Sequence, residues 1–186
     1  MDDALIGALL ASTLRVSTPL ILCALAGLLS ERSGVIDIGL EGKMLIAAFT
    51  AGTVGVTTGS TALALLVAMG VTVVLSWLHG FACVSNSGDQ VVSGVAINII
   101  AAGMTIVLGI AWFHQGGQTP AVSAEVRLLA VMPGLVAKLQ GIPVLGTIVG
   151  EGLLSHNIMV YCTLLLVPAV WWLLYRTRFG LRLRAV

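Results

Sequence analysis

Five ionisable residues, Glu31, Arg32, Asp37, Glu41 and Lys43, fall within the stretch SERSGVIDIGLEGKM (Ser30 to Met44), and long apolar sequence flanks it on both sides. Charged groups at or inside a membrane boundary are costly and are usually functional or paired. Asp37 and Glu41 are four residues apart, a spacing that predicts a shared helix face. Three chemistries suit them. They could bind a polar substrate or an ion, form an intramembrane ion pair with Arg32 or Lys43, or start a helix whose acidic first turn complements its dipole. Ser93 and Asn98 add a hydroxyl and an amide to another apolar run. Those groups can hydrogen-bond a solute or hold two helices together. Asp37, Glu41, Ser93 and Asn98 are therefore the candidates for lining a polar pathway.

No other constellation carries chemistry. His79, His114 and His156 have no ligand spacing and receive no role. Cys23, Cys83 and Cys162 lie singly in three apolar runs, as small buried residues would, and fit neither a disulfide framework nor a metal site. A phosphate-binding glycine loop, a nucleophile elbow and an HExxH motif are all missing from the sequence. No cofactor or metal is expected.

The elements that must position these residues are membrane helices. Hydrophobic residues make up 58% of the chain and charged ones 9%, with a mean hydropathy of +1.08; soluble domains carry roughly 25% charge. The apolar runs are continuous and about twenty residues long, as helical spans are, rather than alternating as barrel strands do. The expected fold is an all-α, polytopic membrane helix bundle of about five spans, forming a single domain over 1–186. Asp3 to Thr13 reads as an interfacial lead-in and Leu14 to Leu29 as the first span, with Arg15 snorkelling to the headgroups. The second span runs from Val35 to Val56 and begins with the ionisable cluster. Thr61 to about Val84 is the third. Asp89 is placed to cap the fourth, Gln90 to Phe113. A mixed segment over 114–157, with Pro120, Pro133 and Pro143, precedes the fifth span, Ile158 to Tyr175, which contains Pro168. Ala47, Ala51 and Gly55, with Ala48 and Gly52, give the second span a small-residue face for close helix packing.

Charge placement orients the chain. Arg176, Arg178, Arg182 and Arg184 crowd the last positions, so the positive-inside rule predicts a cytoplasmic C-terminal end. Counting back, 114–157 becomes an extracytoplasmic loop and the N-terminus lies outside. The formal net charge of +1 argues against a nucleic-acid partner, which would call for a basic face; membrane lipids are the expected surroundings. The acidic start, Met1-Asp2-Asp3, lacks the basic region and cleavage site of a signal peptide, so the first apolar segment is expected to stay in the mature chain.

Four segments in order, SERSGVIDIGLEGKMLIAAF (Ser30 to Phe49), DQVVSGVAIN (Asp89 to Asn98), IPVLG (Ile142 to Gly146) and YRTRFGLRLRAV (Tyr175 to Val186), resemble the permease subunits of bacterial ABC importers. The superfamily is that of branched-chain amino acid and monosaccharide permeases, and the nearest branch is the simple-sugar and nucleoside permeases. The resemblance implies a subunit of the bacterial plasma membrane that is not itself an enzyme. Its implied partners are a second permease subunit, two cytoplasmic ATPase subunits that hydrolyse ATP, and an extracytoplasmic substrate-binding lipoprotein. It also implies that 176–186 begins the cytoplasmic coupling segment that docks on the ATPase, with Arg178, Gly180, Arg182 and Arg184 as candidate coupling residues. Gly180 is expected to take a positive backbone angle to turn the chain there. Relatives continue through further spans, so the chain resembles an N-terminal portion that would not transport alone. They also carry arginines where this chain reads Val84 to Gly88.

The implied mechanism is alternating access for a small polar solute, a nucleoside or a simple sugar. The rival class is an ion-coupled transporter or channel subunit in which Asp37 and Glu41 relay a proton or cation. An intramembrane enzyme would need a nucleophile with a base, or a metal cluster, at membrane depth.

Overall fold

The computed structural model describes residues 2–116, 118–123 and 155–185. The elements among them are helices: α1 (Asp2–Arg32), α2 (Leu40–Thr58), α3 (Thr61–Gly80), a π-helical turn (Phe81–Ser85), α4 (Gln90–Phe113), α5 (Ile158–Arg176) and α6 (Arg178–Leu183). The chain forms two compact units, one of Met1–Ala26 with Leu128–Val186 and one of Gly27–Arg127. In the second, α2 packs against α3 and α4.

Side-chain exposure runs opposite to that of a soluble protein. Leu66, Val73, Val92, Ile99 and Leu165 are 65–70% exposed, whereas Ala64, Ala68 and Ala101 are buried. In lipid, apolar side chains need no burial, and helices associate by close packing of small residues. Among the described residues, four helices are long and apolar enough to cross a membrane: Leu5–Arg32, Thr61–Ser85, Gln90–Phe113 and Ile158–Arg176. α2, with Glu41 and Lys43 near its start, is not among these four.

Local chemistry explains the helix ends. α2 stops at Gly59, which adopts φ +66° and donates its N–H to the Gly55 carbonyl; that left-handed conformation costs a side chain about 1–2 kcal/mol. Ser60 accepts from the Leu63 N–H to start α3. Past Gly80 the hydrogen bonding loosens, with Asn86 N–H reaching the Phe81 carbonyl at 3.2 Å. Asp89 then caps α4, accepting from the N–H groups of Val91 and Val92 at 2.8 and 3.0 Å. Asn157 caps α5 in the same way.

Several sequence expectations change. The lead-in and first span form one continuous helix with Pro19 inside it; Pro19 removes one backbone donor, a loss that membrane helices tolerate. The second helix starts at Leu40 rather than Val35, so Asp37 lies outside it and shares no helix face with Glu41. Of the cysteines, Cys83 is buried, but Cys162 is exposed and Cys23 intermediate. The small-residue face of α2 does meet close neighbours: Gly55 is buried, and a Cβ on Gly52 would lie 2.8 Å from Thr119 Oγ1. Most of the expected loop over 114–157, including Pro133, Pro143 and IPVLG, lies outside the described residues.

Candidate functional site

The segment between α1 and α2 avoids the helical conformation because α4 supplies its hydrogen bonds. Gln90 Oε1 accepts from Ile36 N–H at 2.7 Å, and Gln90 Nε2 donates to the Gly34 carbonyl at 3.4 Å. Two turns on, Asn98 Nδ2 donates to the Ile38 carbonyl at 3.1 Å and Asn98 Oδ1 accepts from Gly42 N–H at 2.8 Å. Between them stands Gly94, where a Cβ would come within 2.9 Å of Gly39 N. Gln90, Gly94 and Asn98 recur every four residues and so occupy one face of α4. Two amides clamp the segment and a glycine admits it. A non-helical backbone at membrane depth is tolerated where neighbouring groups satisfy it in this way.

This clamp delivers Asp37 to a buried polar cluster. Its Oδ1 accepts from Gly39 N–H at 3.1 Å, closing an Asx turn ahead of α2. Its Oδ2 pairs with Lys43 Nζ, and the two side chains are only 10% and 3% exposed. His79 of α3 lies alongside, with Nε2 3.8 Å from Asp37 Oδ1 and Nδ1 3.0 Å from Ser93 Oγ. Cys83 Sγ stands 3.8 Å from both ring nitrogens. The cluster ties α2, α3 and α4 together through the charge of one residue pair. Buried charges persist when paired and hydrogen-bonded, and the 37–43 pair meets that condition.

Of the four pathway candidates, the structure gathers two into this cluster, Asp37 and Ser93. Asn98 belongs to the clamp. Glu41 is exposed and makes no ion pair among the described residues, so it does not join Asp37. Of the sequence alternatives, Asp37 makes the ion pair with Lys43, Glu41 stands in the first turn of α2, and Arg32 makes no ion pair among the described residues. His79, given no role from sequence, is central. Its signal was available only as an imidazole inside an apolar run, which by itself names no partner.

Asn98→Ala removes both side-chain bonds and leaves Gly42 N–H and the Ile38 carbonyl without them. An unsatisfied buried group costs about 1–3 kcal/mol. We expect a loss of that order in detergent thermal or denaturant melts, with Asn98→Asp recovering less than half, since a carboxylate accepts but cannot donate.

A second site lies at the α5–α6 corner. Thr177 Oγ donates to the Leu173 carbonyl at 2.5 Å and accepts from Gly180 N–H at 3.2 Å, capping α6. Gly180 is helical rather than positive in φ, because the capped turn continues in right-handed geometry. Its requirement is space: a Cβ there would sit 2.3 Å from the carbonyl oxygens of Leu173 and Leu174. Arg184 packs its guanidinium 5.0 Å from the Tyr175 ring centre and donates from Nε to the Gly180 carbonyl at 3.3 Å. Arg178 and Arg182 make no side-chain bond among the described residues, and Phe179 and Leu181 beside them are exposed. The corner therefore presents two free arginines and two apolar side chains on a helix held by its own cap.

Residues 9–186 match the family described as the branched-chain amino acid transport system permease component. The chain belongs to that family. It is 40% identical over 185 residues to the guanosine ABC transporter permease protein NupQ of Bacillus subtilis, covering 94% of this chain and 54% of the relative. It is 33% identical to the putative glucose ABC transporter permease protein TsgC13 of Haloferax volcanii, over 96% of this chain and 51% of that protein. The nucleoside ABC transporter permease protein NupC of Lactococcus lactis is also 33% identical, over 96% and 55%. The chain thus spans about half the length of the curated relatives it matches. No solved structure matches. With several apolar helices, this member of the permease family is a multi-pass membrane protein.

Proposed function

We propose that the chain is the transmembrane permease portion of an ATP-driven importer for a small polar solute, a nucleoside or a simple sugar. The observation that carries this reading is the family match over residues 9–186, together with relatives named as nucleoside and glucose permeases. ATP is hydrolysed by two cytoplasmic partner subunits, a second permease subunit completes the pathway, and an extracytoplasmic lipoprotein delivers the solute. The chain resides in the bacterial plasma membrane with its C-terminal end in the cytoplasm.

In this reading the named residues have distinct roles. The buried Asp37–Lys43–His79–Ser93 cluster and the Asn98 clamp hold the wall of the pathway rather than touching solute, because their polar atoms already have partners. Exposed Glu41 lies on that wall. At the other site Arg178 and Arg182 face the ATPase, Gly180 lets α6 close on α5, and Arg184 fixes α6 to Tyr175. Closure of the ATPase dimer moves α6, and the rigid cap at Thr177 passes that movement to α5.

The complete permease, assembled with its ATPase and receptor, tests the reading. We expect radiolabelled solute uptake to cease on ATP depletion and to survive a protonophore in ATP-loaded proteoliposomes. Uptake that follows the proton gradient and ignores ATP would instead establish an ion-coupled transporter. Orientation is checked by single cysteines in a background lacking Cys23, Cys83 and Cys162. One at Ser123 should react with an impermeant maleimide in intact cells, and one at Thr177 only after permeabilisation. The reverse pattern would remove α6 from the ATPase side.

A further inference from the structure

The 27–127 unit holds a groove of about 380 Å³, lined by Leu45, Ala48 and Phe49 of α2, Thr105 of α4, and Gln118 and Thr119 beyond it. That volume falls at the lower end of the ~300–1,000 Å³ range of small-molecule sites. The chain is led back to this place after α4 by His114, in the left-handed region at φ +55°, and by Gln115 N–H bonding to the Gly109 carbonyl at 3.3 Å. Two glycines make the return possible. A Cβ on Gly109 would lie 2.8 Å from the Gln115 carbonyl oxygen, and one on Gly52 equally close to Thr119 Oγ1 at 2.8 Å.

The lining restricts what can bind. Among the described residues that line it none is ionisable, which suits a neutral ligand. The Thr105 hydroxyl already donates to the Ala101 and Ala102 carbonyls at 2.9 and 3.1 Å. The exposed Gln118 amide makes no bond to a described residue and keeps its donors and acceptor. Phe49 stacks with Trp112, with ring centroids 6.4 Å apart and planes inclined by 22°. An aromatic ring held by a second ring, beside the Gln118 amide and the Thr119 hydroxyl, suits a planar heterocycle, which stacks on the ring and pairs its edge with the amide. Among the described residues of the lining, hydroxyls come from Thr105 and Thr119 alone, fewer than the several hydroxyls of a monosaccharide would pair with.

We propose that this groove is a station for the base of a nucleoside on its way through the permease, with Phe49 as the stacking surface and Gln118 as the edge-reading group. This rests on the importer reading above and sharpens it to a nucleoside over a sugar.

Trp112 provides a readout independent of transport. In the assembled transporter, without receptor, guanosine should quench tryptophan fluorescence saturably, and D-glucose should not. Trp112→Phe keeps the ring pair and should abolish the quench, since Trp112 is the tryptophan that stacks on Phe49. Phe49→Leu keeps apolar volume and should raise the half-quench concentration by about 5- to 150-fold, the loss of one base–aromatic stack. Gln118→Ala should raise it by roughly 2- to 10-fold, the loss of one neutral hydrogen-bonding group. Quenching that survives Trp112→Phe, or that ignores both Phe49→Leu and Gln118→Ala, would overturn the proposal. Quenching by glucose in place of guanosine would overturn the substrate class. ATP-driven guanosine uptake without any quench would refute the station while leaving the importer reading intact. A quench that obeys all three variants in a protein whose uptake ignores ATP would uphold the station and sink the importer reading.

Discussion

Lys43→Met will destabilise the permease by roughly 3–5 kcal/mol, the cost of breaking a buried ion pair from one side. Lys43 is 2% exposed and its partner carboxylate is closed in with it. Removing the ammonium leaves Asp37 with the Gly39 N–H and an imidazole 3.8 Å away as its remaining polar neighbours. The carboxylate must then stay charged without compensation or take up a proton, and either outcome loosens the junction of α2, α3 and α4. The double variant Asp37→Asn/Lys43→Met keeps the acceptor for Gly39 N–H and removes both charges. It should recover most of the loss, because well-packed neutral replacements of buried pairs are often tolerated. Denaturant or thermal melts of the purified protein in one detergent measure all three. If Lys43→Met melts with the wild type, the cluster contributes nothing to stability and Asp37 must have another purpose.

Gly180→Ala will detach α6 from the end of α5. The added carbon would sit 2.3 Å from two backbone carbonyl oxygens, and backbone cannot swing aside as a long side chain can. Overpacking of this kind costs about 1–3 kcal/mol. Here it falls on a six-residue helix held by the Thr177 cap and by the Arg184 contacts, so the helix yields before α5 does. Trypsin cleavage after Arg178 and Arg182 should accelerate by roughly 5- to 150-fold, the population change that such an energy implies when local opening controls proteolysis. The melt of the whole protein should move little. In the assembled transporter, substrate-stimulated ATP hydrolysis should fall in parallel with the cleavage change. Unchanged proteolysis would mean that α6 accommodates the methyl group by a small shift. Faster proteolysis with full ATPase stimulation would confine the segment to anchoring.

Much of the architecture was legible in the sequence because membrane insertion is governed by local composition. Twenty-residue apolar runs report helices wherever they occur, and Asp89 announced its cap by position alone; α4 spans Gln90–Phe113 as read. The permease family was legible too, in four short segments, and the match over residues 9–186 bears it out. Side-chain partnership was not. The spacing of Asp37 and Glu41 describes a shared face only if both belong to a helix. Whether they do depends on Gln90 and Asn98, more than fifty residues away, which satisfy the backbone of Gly34 to Gly42 from the side. The same distance hid His79, whose partners come from a loop and from α4. It also hid the reason for Gly180, which lies in carbonyl oxygens of α5 rather than in its own backbone angle. Composition and periodicity are properties of neighbouring residues, so the chain alone determined its helices and its membrane class. Which polar groups meet depends on how closely those helices approach, and only the packing of Gly39, Gly42 and Gly94 decided that.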